Sequence, residues 1–276
     1  MVAAAHKLAA GTHSGLEERF MDLRLDGKVA LITGGGGGFG QAFALEMARS
    51  GAAVALVDNR LESAEHVAAQ VREEGGKAEA YAADVSKAAE VEQTVKSVVD
   101  GFGGLDILVN AAATGGNFNL KDLAEEEWDR ILDLNLKGTY LCCKAAIPQM
   151  EARGEGRIMN FASLLGVRNR PVPLAVGNAH YVASKGGVIA FSRALAQELV
   201  PSRITVNAFA PGATDTGLWR RDMPPEVQEA KRKSNTVGLP EDLAPLAVLL
   251  ASDQGYYLTG NLFTRDDFFM PRRNAP

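Results

Sequence analysis

The chain has 276 residues, of which 46% are hydrophobic and 23% are charged, and its formal net charge is -5 at pH 7. This composition excludes a disordered chain, and the acidity argues against a nucleic-acid partner, which favours a basic face. Nothing approaches the roughly 18 consecutive apolar residues of a membrane-spanning helix, so we expect no membrane partner either. The length suits one large α/β domain.

The N-terminal segment, residues 1–26, is rich in alanine, contains acidic residues and lacks a continuous apolar run. It therefore does not resemble a signal peptide. We interpret it as an extension of a domain over residues 27–276. Two structures for the extension stay open, a flexible arm and a short helix over residues 16–23 that packs on the domain or on a second subunit.

The first predicted strand, residues 29–33, leads into five consecutive glycines and a predicted helix over residues 41–50. Strand, glycine turn and helix together favour dinucleotide binding. Glycines let the backbone approach a pyrophosphate, and the helix N-terminus offers free N–H groups to it.

Two registers of the glycine motif fit this run. Gly35, Gly37 and Gly40 match G-x-G-x-x-G, whereas Gly34, Gly38 and Gly40 match T-G-x-x-x-G-x-G. The second predicted strand, residues 53–57, ends in Asp58.

Asp58 lies about twenty positions beyond the glycine turn, where an acidic side chain binds a ribose 2′-hydroxyl and repels a 2′-phosphate. Asp58 therefore favours NAD over NADP. The nearest cation, Arg60, works against that preference.

Strands and helices alternate along the rest of the chain. Further helices are predicted over residues 61–74, 88–101, 124–149, 181–200 and 241–252, and further strands over residues 77–82, 106–109, 157–163, 204–209 and 261–264. This alternation predicts a single α/β domain with a doubly wound, mostly parallel sheet, the Rossmann fold. The two cysteines, Cys142 and Cys143, are adjacent on a predicted helix and cannot easily pair, which suits a cytoplasmic protein.

Chemistry is indicated at two places, and a third residue, Asn135, carries little functional weight by itself. Tyr181 and Lys185 are four positions apart on a predicted helix and share a face. An ammonium beside a phenol lowers the pKa of the phenol, so the pair suits proton transfer to an alcohol or carbonyl oxygen. Ser163 lies at the carboxyl end of a predicted strand, where parallel sheets bind ligands. Asn135 lies within the apolar pattern of the helix over residues 124–149.

Together these residues resemble the classical, single-domain type of the short-chain dehydrogenase/reductase family, over residues 25–266. The matching positions are Thr33, Gly34, Gly38, Gly40, Asp58, Asp84, Val85, Asn110, Asn135, Ser163, Tyr181, Lys185, Pro211 and Gly212.

The resemblance implies four catalytic roles. Tyr181 would act as the general acid/base, and Lys185 would hold the nicotinamide ribose and lower the pKa of Tyr181. Ser163 would bind the substrate oxygen. Asn135 would position a water that links Lys185 to solvent.

The resemblance also implies the binding residues. NAD would be bound by Gly34, Gly38, Phe39, Gly40, Asp58, Asn59, Asp84, Val85, Asn110, Ala111, Tyr181, Lys185, Pro211, Gly212, Thr214 and Thr216. The substrate would contact Ser163, Leu165, Asn178, Tyr181, Leu218 and Trp219. No metal is expected, because the histidines lack ligand spacing.

Two segments depart from the family pattern or vary within it. The stretch between Ser163 and Tyr181 is longer than usual and predicts an extended substrate rim over residues 164–180. Residues 213–238 are either a lid over the substrate or an ordinary amphipathic surface segment. A lid containing Trp219 and Met223 would suit an apolar or aromatic substrate.

We therefore expect an NAD-dependent oxidoreductase that interconverts a secondary alcohol and a ketone by hydride transfer, acting as an alcohol dehydrogenase on an apolar or aromatic small molecule. One alternative is a 3-oxoacyl-acyl-carrier-protein reductase, which Asp58 and the acidic balance disfavour. Another is a cofactor-binding protein that has lost its chemistry. The resemblance further implies a homo-oligomer, a tetramer or a dimer, formed through the helices over residues 124–149 and 181–200.

Overall fold

The computed structural model describes residues 23–168, 178–233 and 237–265. Within them, seven strands form one parallel sheet. The strands are β1 (Val29–Thr33), β2 (Ala53–Asp58), β3 (Lys77–Ala82), β4 (Ile107–Asn110), β5 (Gly156–Phe161), β6 (Ile204–Pro211) and β7 (Leu262–Arg265). Their order across the sheet is β3-β2-β1-β4-β5-β6-β7.

Helices fill the connections between the strands. In the described residues they are α1 (Gly38–Arg49), α2 (Leu61–Glu73), α3 (Ala88–Phe102), α4 (Glu125–Leu132), α5 (Gly138–Arg153), α6 (Ala179–Glu198), α7 (Gly217–Asp222), α8 (Pro225–Lys233) and α9 (Ala244–Ala251). None of them is both long and apolar enough to span a membrane.

The sheet is buried on both faces, which explains its short apolar strands. On one face, Ile32 of β1 packs in a core with α1, α2 and α9. On the other, its neighbour Leu31 packs in a core with α3, α5 and α6. The predicted doubly wound parallel sheet is therefore confirmed.

The strand order reverses between β1 and β4, which are direct neighbours in the sheet. The connections after these two strands leave in opposite directions, so a crevice opens at their carboxyl ends. Thr33 and Asn110 are paired at this edge and mark the bottom of the crevice. The fold thus fixes where a ligand binds before any side chain is considered.

The helix predicted over residues 124–149 is present as a continuous helical stretch, but it is not one regular α-helix. α4 and α5 are separated by a π-helical turn, Asp133–Lys137, which contains Asn135. Such wider turns are frequent at functional sites, and this one directs Asn135 inward. At the other end the helix passes Pro148 and stops at Gly154, whose φ of +83° is a left-handed C-terminal cap.

Smaller differences lie at element ends. α1 begins at Gly38, three residues before the predicted start, because its first turn contains two glycines that hide the helical pattern. β5 ends at Phe161, so Ser163 lies two residues beyond the strand. The helix predicted from residue 241 is a 3-10 turn, Pro240–Leu243, followed by α9.

The ends of the predicted lid meet. Thr214 and Gly238 form an isolated parallel bridge, and the N–H of Gly238 donates to the carbonyl of Ala213 over 2.9 Å. Leu25 belongs to the predicted N-terminal extension, residues 1–26, but it is fully buried in the core. Residues 1–22 of that extension, residues 169–177 of the predicted rim, residues 234–236 of the predicted lid and residues 266–276 lie outside the described residues.

Candidate active site

One cavity of about 580 Å³ lies at the carboxyl edge of the sheet. Most of the residues predicted to bind a cofactor or a substrate line it. They are Gly34, Gly38, Phe39, Asp58, Ala111, Ser163, Leu165, Asn178, Tyr181, Lys185, Pro211, Gly212, Thr214, Thr216, Leu218 and Trp219. The glycine turn is therefore continuous with the predicted catalytic residues.

Six predicted site residues do not line this cavity. They are Gly40, Asn59, Asp84, Val85, Asn110 and Asn135. Asn59 is exposed, and the carboxylate of Asp84 accepts hydrogen bonds from the N–H and the hydroxyl of Ser86 over 2.9 and 2.7 Å. Val85 is buried in the core on the α3 side of the sheet. The contacts of Gly40, Asn110 and Asn135 show that they support the site from behind.

The glycine turn has the shape of a pyrophosphate cradle. Gly34 has a φ of +65°, and a Cβ there would lie 2.8 Å from the Ala112 backbone. Gly38 has a φ of +53°, so it also favours glycine. At Gly40 a Cβ would lie 2.2 Å from the carbonyl oxygen of Gly34. These contacts support the register of Gly34, Gly38 and Gly40.

The N-terminus of α1 opens onto the same cavity. Its N-cap residue, Gly37, provides no side-chain cap, and no acidic residue lies in the first turn. A Cβ at Gly37 would meet nothing within 4 Å. Open space in front of uncapped N–H groups at a helix N-terminus fits an anionic pyrophosphate. The residues present therefore fit a nicotinamide dinucleotide.

Asp58 is held beside the glycine turn. One carboxylate oxygen accepts from the N–H of Gly36 over 3.2 Å, and the other accepts from the N–H of Arg60 over 3.0 Å. Both Asp58 and Arg60 line the cavity. An acidic acceptor and a cation therefore face the same end.

Tyr181 and Lys185 both lie on α6, as the spacing predicted. The Lys185 amino group donates to the carbonyl of Phe161 over 2.7 Å and lies 6.0 Å from the centre of the Tyr181 ring. Because this lysine is buried, its pKa falls from 10.5 to about 7. Its charge is therefore partly lost at neutral pH.

Burial also raises the pKa of Tyr181, and hydrogen bonding to the Ser163 hydroxyl lowers it in part. The negative charge of Asp222 raises the pKa of Tyr181 further. Burial is the largest cause, so the net pKa of Tyr181 lies above its ordinary value. That Lys185 lowers the pKa of Tyr181 stays a prediction.

Ser163 is fixed by the turn that follows β5. Its hydroxyl oxygen accepts from the N–H of Leu165 over 3.2 Å and caps the 3-10 turn Leu164–Gly166. The residue is buried and lines the cavity beside Tyr181. Two hydroxyl groups are thus available to one substrate oxygen.

Asn135 joins the connection after β4 to the catalytic helix. Its side-chain oxygen accepts from the N–H of Thr114 over 2.8 Å, and its amide donates to the Thr114 carbonyl over 2.9 Å. The same amide donates to the Ser184 hydroxyl over 3.0 Å, next to Lys185. The structure therefore gives Asn135 a bracing role, and the water relay implied by the resemblance stays a prediction.

A second set of buried amides supports the sheet edge beneath. Asn110 donates to the side-chain oxygen of Asn160 over 2.8 Å, and Asn160 donates to the Ser192 hydroxyl over 3.0 Å. This chain of hydrogen bonds links β4, β5 and α6. Asn110 thus supports the end of the sheet next to the cradle.

A comparison with protein families decides the class of this site. The family model described as short chain dehydrogenase matches residues 28–226. The chain belongs to the short-chain dehydrogenase/reductase family. It is accordingly an oxidoreductase that acts on hydroxyl or keto groups.

Curated relatives of this short-chain dehydrogenase/reductase differ in substrate. It is 38% identical over 254 residues to 2-(S)-hydroxypropyl-CoM dehydrogenase 3 of Xanthobacter autotrophicus, which covers 89% of this chain and 98% of the relative. It is 33% identical over 247 residues to 3-oxoacyl-acyl-carrier-protein reductase of Thermotoga maritima, covering 88% and 98%.

A solved structure is similar over nearly the same length. The 3-ketoacyl-(acyl-carrier-protein) reductase of Brucella melitensis, complexed with NADH, is 38% identical with a TM-score of 0.79. The match covers 88% of this short-chain dehydrogenase/reductase and 98% of that chain. The fold is therefore shared with enzymes of different named substrates.

Sequence reasoning missed several groups in this short-chain dehydrogenase/reductase site. The Phe161 carbonyl binds Lys185, Thr114 and Ser184 bind Asn135, and Asp222 lines the cavity. A carbonyl carries no side-chain signal, and the other three stand outside any motif. In the described residues no three His, Cys, Asp or Glu side chains converge as a metal site would require.

Proposed function

We propose that this chain is an NAD-dependent alcohol dehydrogenase that interconverts a secondary alcohol and a ketone and favours oxidation. One observation carries the proposal: Ser163, Tyr181 and Lys185 share a single cavity with the glycine cradle and Asp58. Proton-transfer groups and a dinucleotide cradle are thus within reach of one bound substrate.

Each residue has a defined task in this reaction. The Ser163 hydroxyl donates a hydrogen bond to the substrate oxygen and orients it. Tyr181 removes the hydroxyl proton. Lys185, whose amino group lies 6.0 Å from the centre of the Tyr181 ring, stabilises the phenolate when that amino group is protonated. When bound, NAD supplies the hydride acceptor.

Asp58 supports NAD as the cofactor, because its carboxylate stands where the 2′-phosphate of NADP would bring a second negative charge. Apolar side chains support an apolar or aromatic substrate. Leu165, Leu218, Trp219 and Met223 line the same cavity as Ser163 and Tyr181.

The second candidate is a 3-oxoacyl-acyl-carrier-protein reductase. Relatives with that name are 33% and 38% identical to this chain. The related structure complexed with NADH bears the same kind of name, so NAD preference alone does not separate the two candidates.

The test is an NADH absorbance assay of the purified protein. Aryl, alicyclic and polyol secondary alcohols are offered with NAD and with NADP, and a 3-oxoacyl thioester is offered with NADH and NADPH. NAD-dependent oxidation of a small alcohol, abolished in Tyr181→Phe, is expected. Turnover confined to the thioester would favour the second candidate. NADH binding without turnover of any compound would indicate a non-catalytic protein.

We also propose that the chain is a cytoplasmic homo-oligomer, a tetramer or a dimer, that assembles through the outer faces of α4, α5 and α6. Tyr140 on α5 is a large side chain that is 43% exposed, which supports a covered face there. Light scattering after gel filtration measures the mass. A monomer at micromolar concentration would contradict the proposal.

A further inference from the structure

Asp222 places a carboxylate in the part of the cavity that faces Tyr181. It is the last residue of α7 and lines the cavity together with Leu218 and Met223. Its negative charge reaches the Tyr181 phenol, since it is one of the causes that raise the pKa of that group. An acidic acceptor therefore stands among apolar side chains near the reacting oxygen.

Asp222 forms an ion pair with Arg221, and the two side chains differ in exposure. The two groups are 2.7 Å apart, but the Asp222 side chain is 22% exposed and the Arg221 side chain is 56% exposed. Asp222 lines the cavity, whereas Arg221 does not. The carboxylate thus points toward the cavity, and the guanidinium stands on its outer side.

Contacts with the connection after β4 hold Asp222 in this position. Asn117 donates to the Asp222 carbonyl over 2.7 Å, and Arg221 donates to the Gly115 carbonyl over 3.4 Å. A Cβ on Gly115 would lie 2.6 Å from a carboxylate oxygen of Asp222, so the carboxylate packs directly on that glycine. It is a fixed acceptor, as a specificity group must be.

We propose that Asp222 is a specificity-determining residue that selects secondary alcohols with a second hydrogen-bond donor, a hydroxyl or an ammonium group, and rejects anionic substrates. This inference rests on the proposed function and narrows its apolar or aromatic substrate to one with such a donor. Arg221 donates to both carboxylate oxygens of Asp222. A carboxylate has about four acceptor sites, so a donor on the substrate can add a charged hydrogen bond from the cavity that a substrate without a donor cannot make. A substrate carboxylate would face it as a like charge.

The test compares four matched alcohols: cyclohexanol, trans-cyclohexane-1,2-diol, trans-2-aminocyclohexanol and trans-2-hydroxycyclohexanecarboxylate. For wild type, Asp222→Asn and Asp215→Asn, kcat/KM is measured with NAD. A second arm measures the dissociation constant of each alcohol from the enzyme–NADH complex by NADH fluorescence. Asp215 is the matched control, since its carboxylate pairs with Arg220 and Arg232 but does not line the cavity.

In wild type the diol and the amino alcohol should exceed cyclohexanol by at least about tenfold in both arms, the size of a charged hydrogen bond. Asp222→Asn should remove this preference and improve the carboxylate, whereas Asp215→Asn should leave the ratios unchanged. Equal ratios in wild type and Asp222→Asn, or no preference in either arm, would overturn the inference. If the proposed function itself is wrong, no NADH forms from any alcohol. The dissociation constants then still show whether Asp222 selects among the four compounds.

Discussion

The amino group of Lys185 lies 2.7 Å from the main-chain oxygen of Phe161, and only 2% of the lysine is exposed. A strand carbonyl thus fixes the Lys185 side chain at the floor of the cavity. Burial lowers the pKa of Lys185 to about 7. Charging this group in the folded protein therefore costs stability.

Lys185→Met should stabilise the cofactor-free protein most at low pH. Below pH 7 the lysine is charged in both states and the full burial cost applies. Between pH 7 and 10.5 the unfolded chain keeps a proton that the folded chain has lost, so wild-type stability rises with pH. Urea unfolding should show that the substitution raises the free energy of unfolding more at pH 6.5 than at pH 9.5. The difference between these two gains should be at most about 3 kcal/mol. The exposed Lys144 provides the control, Lys144→Met, and an equal gain at both pH values would contradict the argument.

Asn135→Ala should destabilise the protein by about 3 kcal/mol, because it removes three buried hydrogen bonds and leaves the Thr114 backbone unpaired. Thr139→Val is the matched control. It removes one hydroxyl, which donates to the main-chain carbonyl of the same asparagine over 2.8 Å, and should cost about 1 kcal/mol. Urea unfolding measures both, and equal losses would mean that the Asn135 side chain does not brace the site.

In the glycine turn, one substitution should lower the stability of the fold and another should weaken cofactor binding. Gly40→Ala places a Cβ against the Gly34 carbonyl and should cost about 3 kcal/mol of stability. Gly37→Ala meets only open space, so stability should change by less than about 0.5 kcal/mol. Its methyl group would obstruct the pyrophosphate, and the dissociation constant of NADH should rise about tenfold or more. If calorimetry showed that Gly37→Ala binds NADH as tightly as wild type, the argument that Gly37 faces the pyrophosphate would be refuted.

Asp58→Asn should shift cofactor choice toward NADP. The substitution keeps an acceptor for the Gly36 N–H and removes the charge that opposes a 2′-phosphate. The ratio of kcat/KM for NADP to that for NAD should rise at least about tenfold. Arg60→Gln should lower that ratio, since it removes the cation at this end of the cavity. An unchanged ratio in Asp58→Asn would mean that this carboxylate does not select the cofactor.

The fold, the glycine turn and the position of Asp58 follow closely from sequence, because apolar strands, glycines and strand-end acids report local requirements. Asn59, Asp84 and Val85, which the resemblance assigned to cofactor binding, do not line the cavity. Asn135 shows the limit of such patterns. It lies within an apolar run that is typical of one helix, and only tertiary hydrogen bonds to Thr114 and Ser184 explain the π-helical turn.

The substrate end is harder to predict. Asp222 belongs to no motif, and its orientation depends on Gly115 and Asn117, which are more than 100 positions away in the chain. The pKa values of the site residues could not be predicted from the sequence either. The spacing of Tyr181 and Lys185 shows that they are neighbours, but the effect of burial on their pKa values depends on the assembled core.

The bridge between Thr214 and Gly238 brings the two ends of the segment that carries Asp222 side by side. A loop with adjacent ends can be exchanged or lengthened at small entropic cost, because its closure is already provided by the framework. This segment is therefore a natural unit for grafting. Transplanting its counterpart from a relative with another substrate should transfer substrate choice and leave the cofactor half intact.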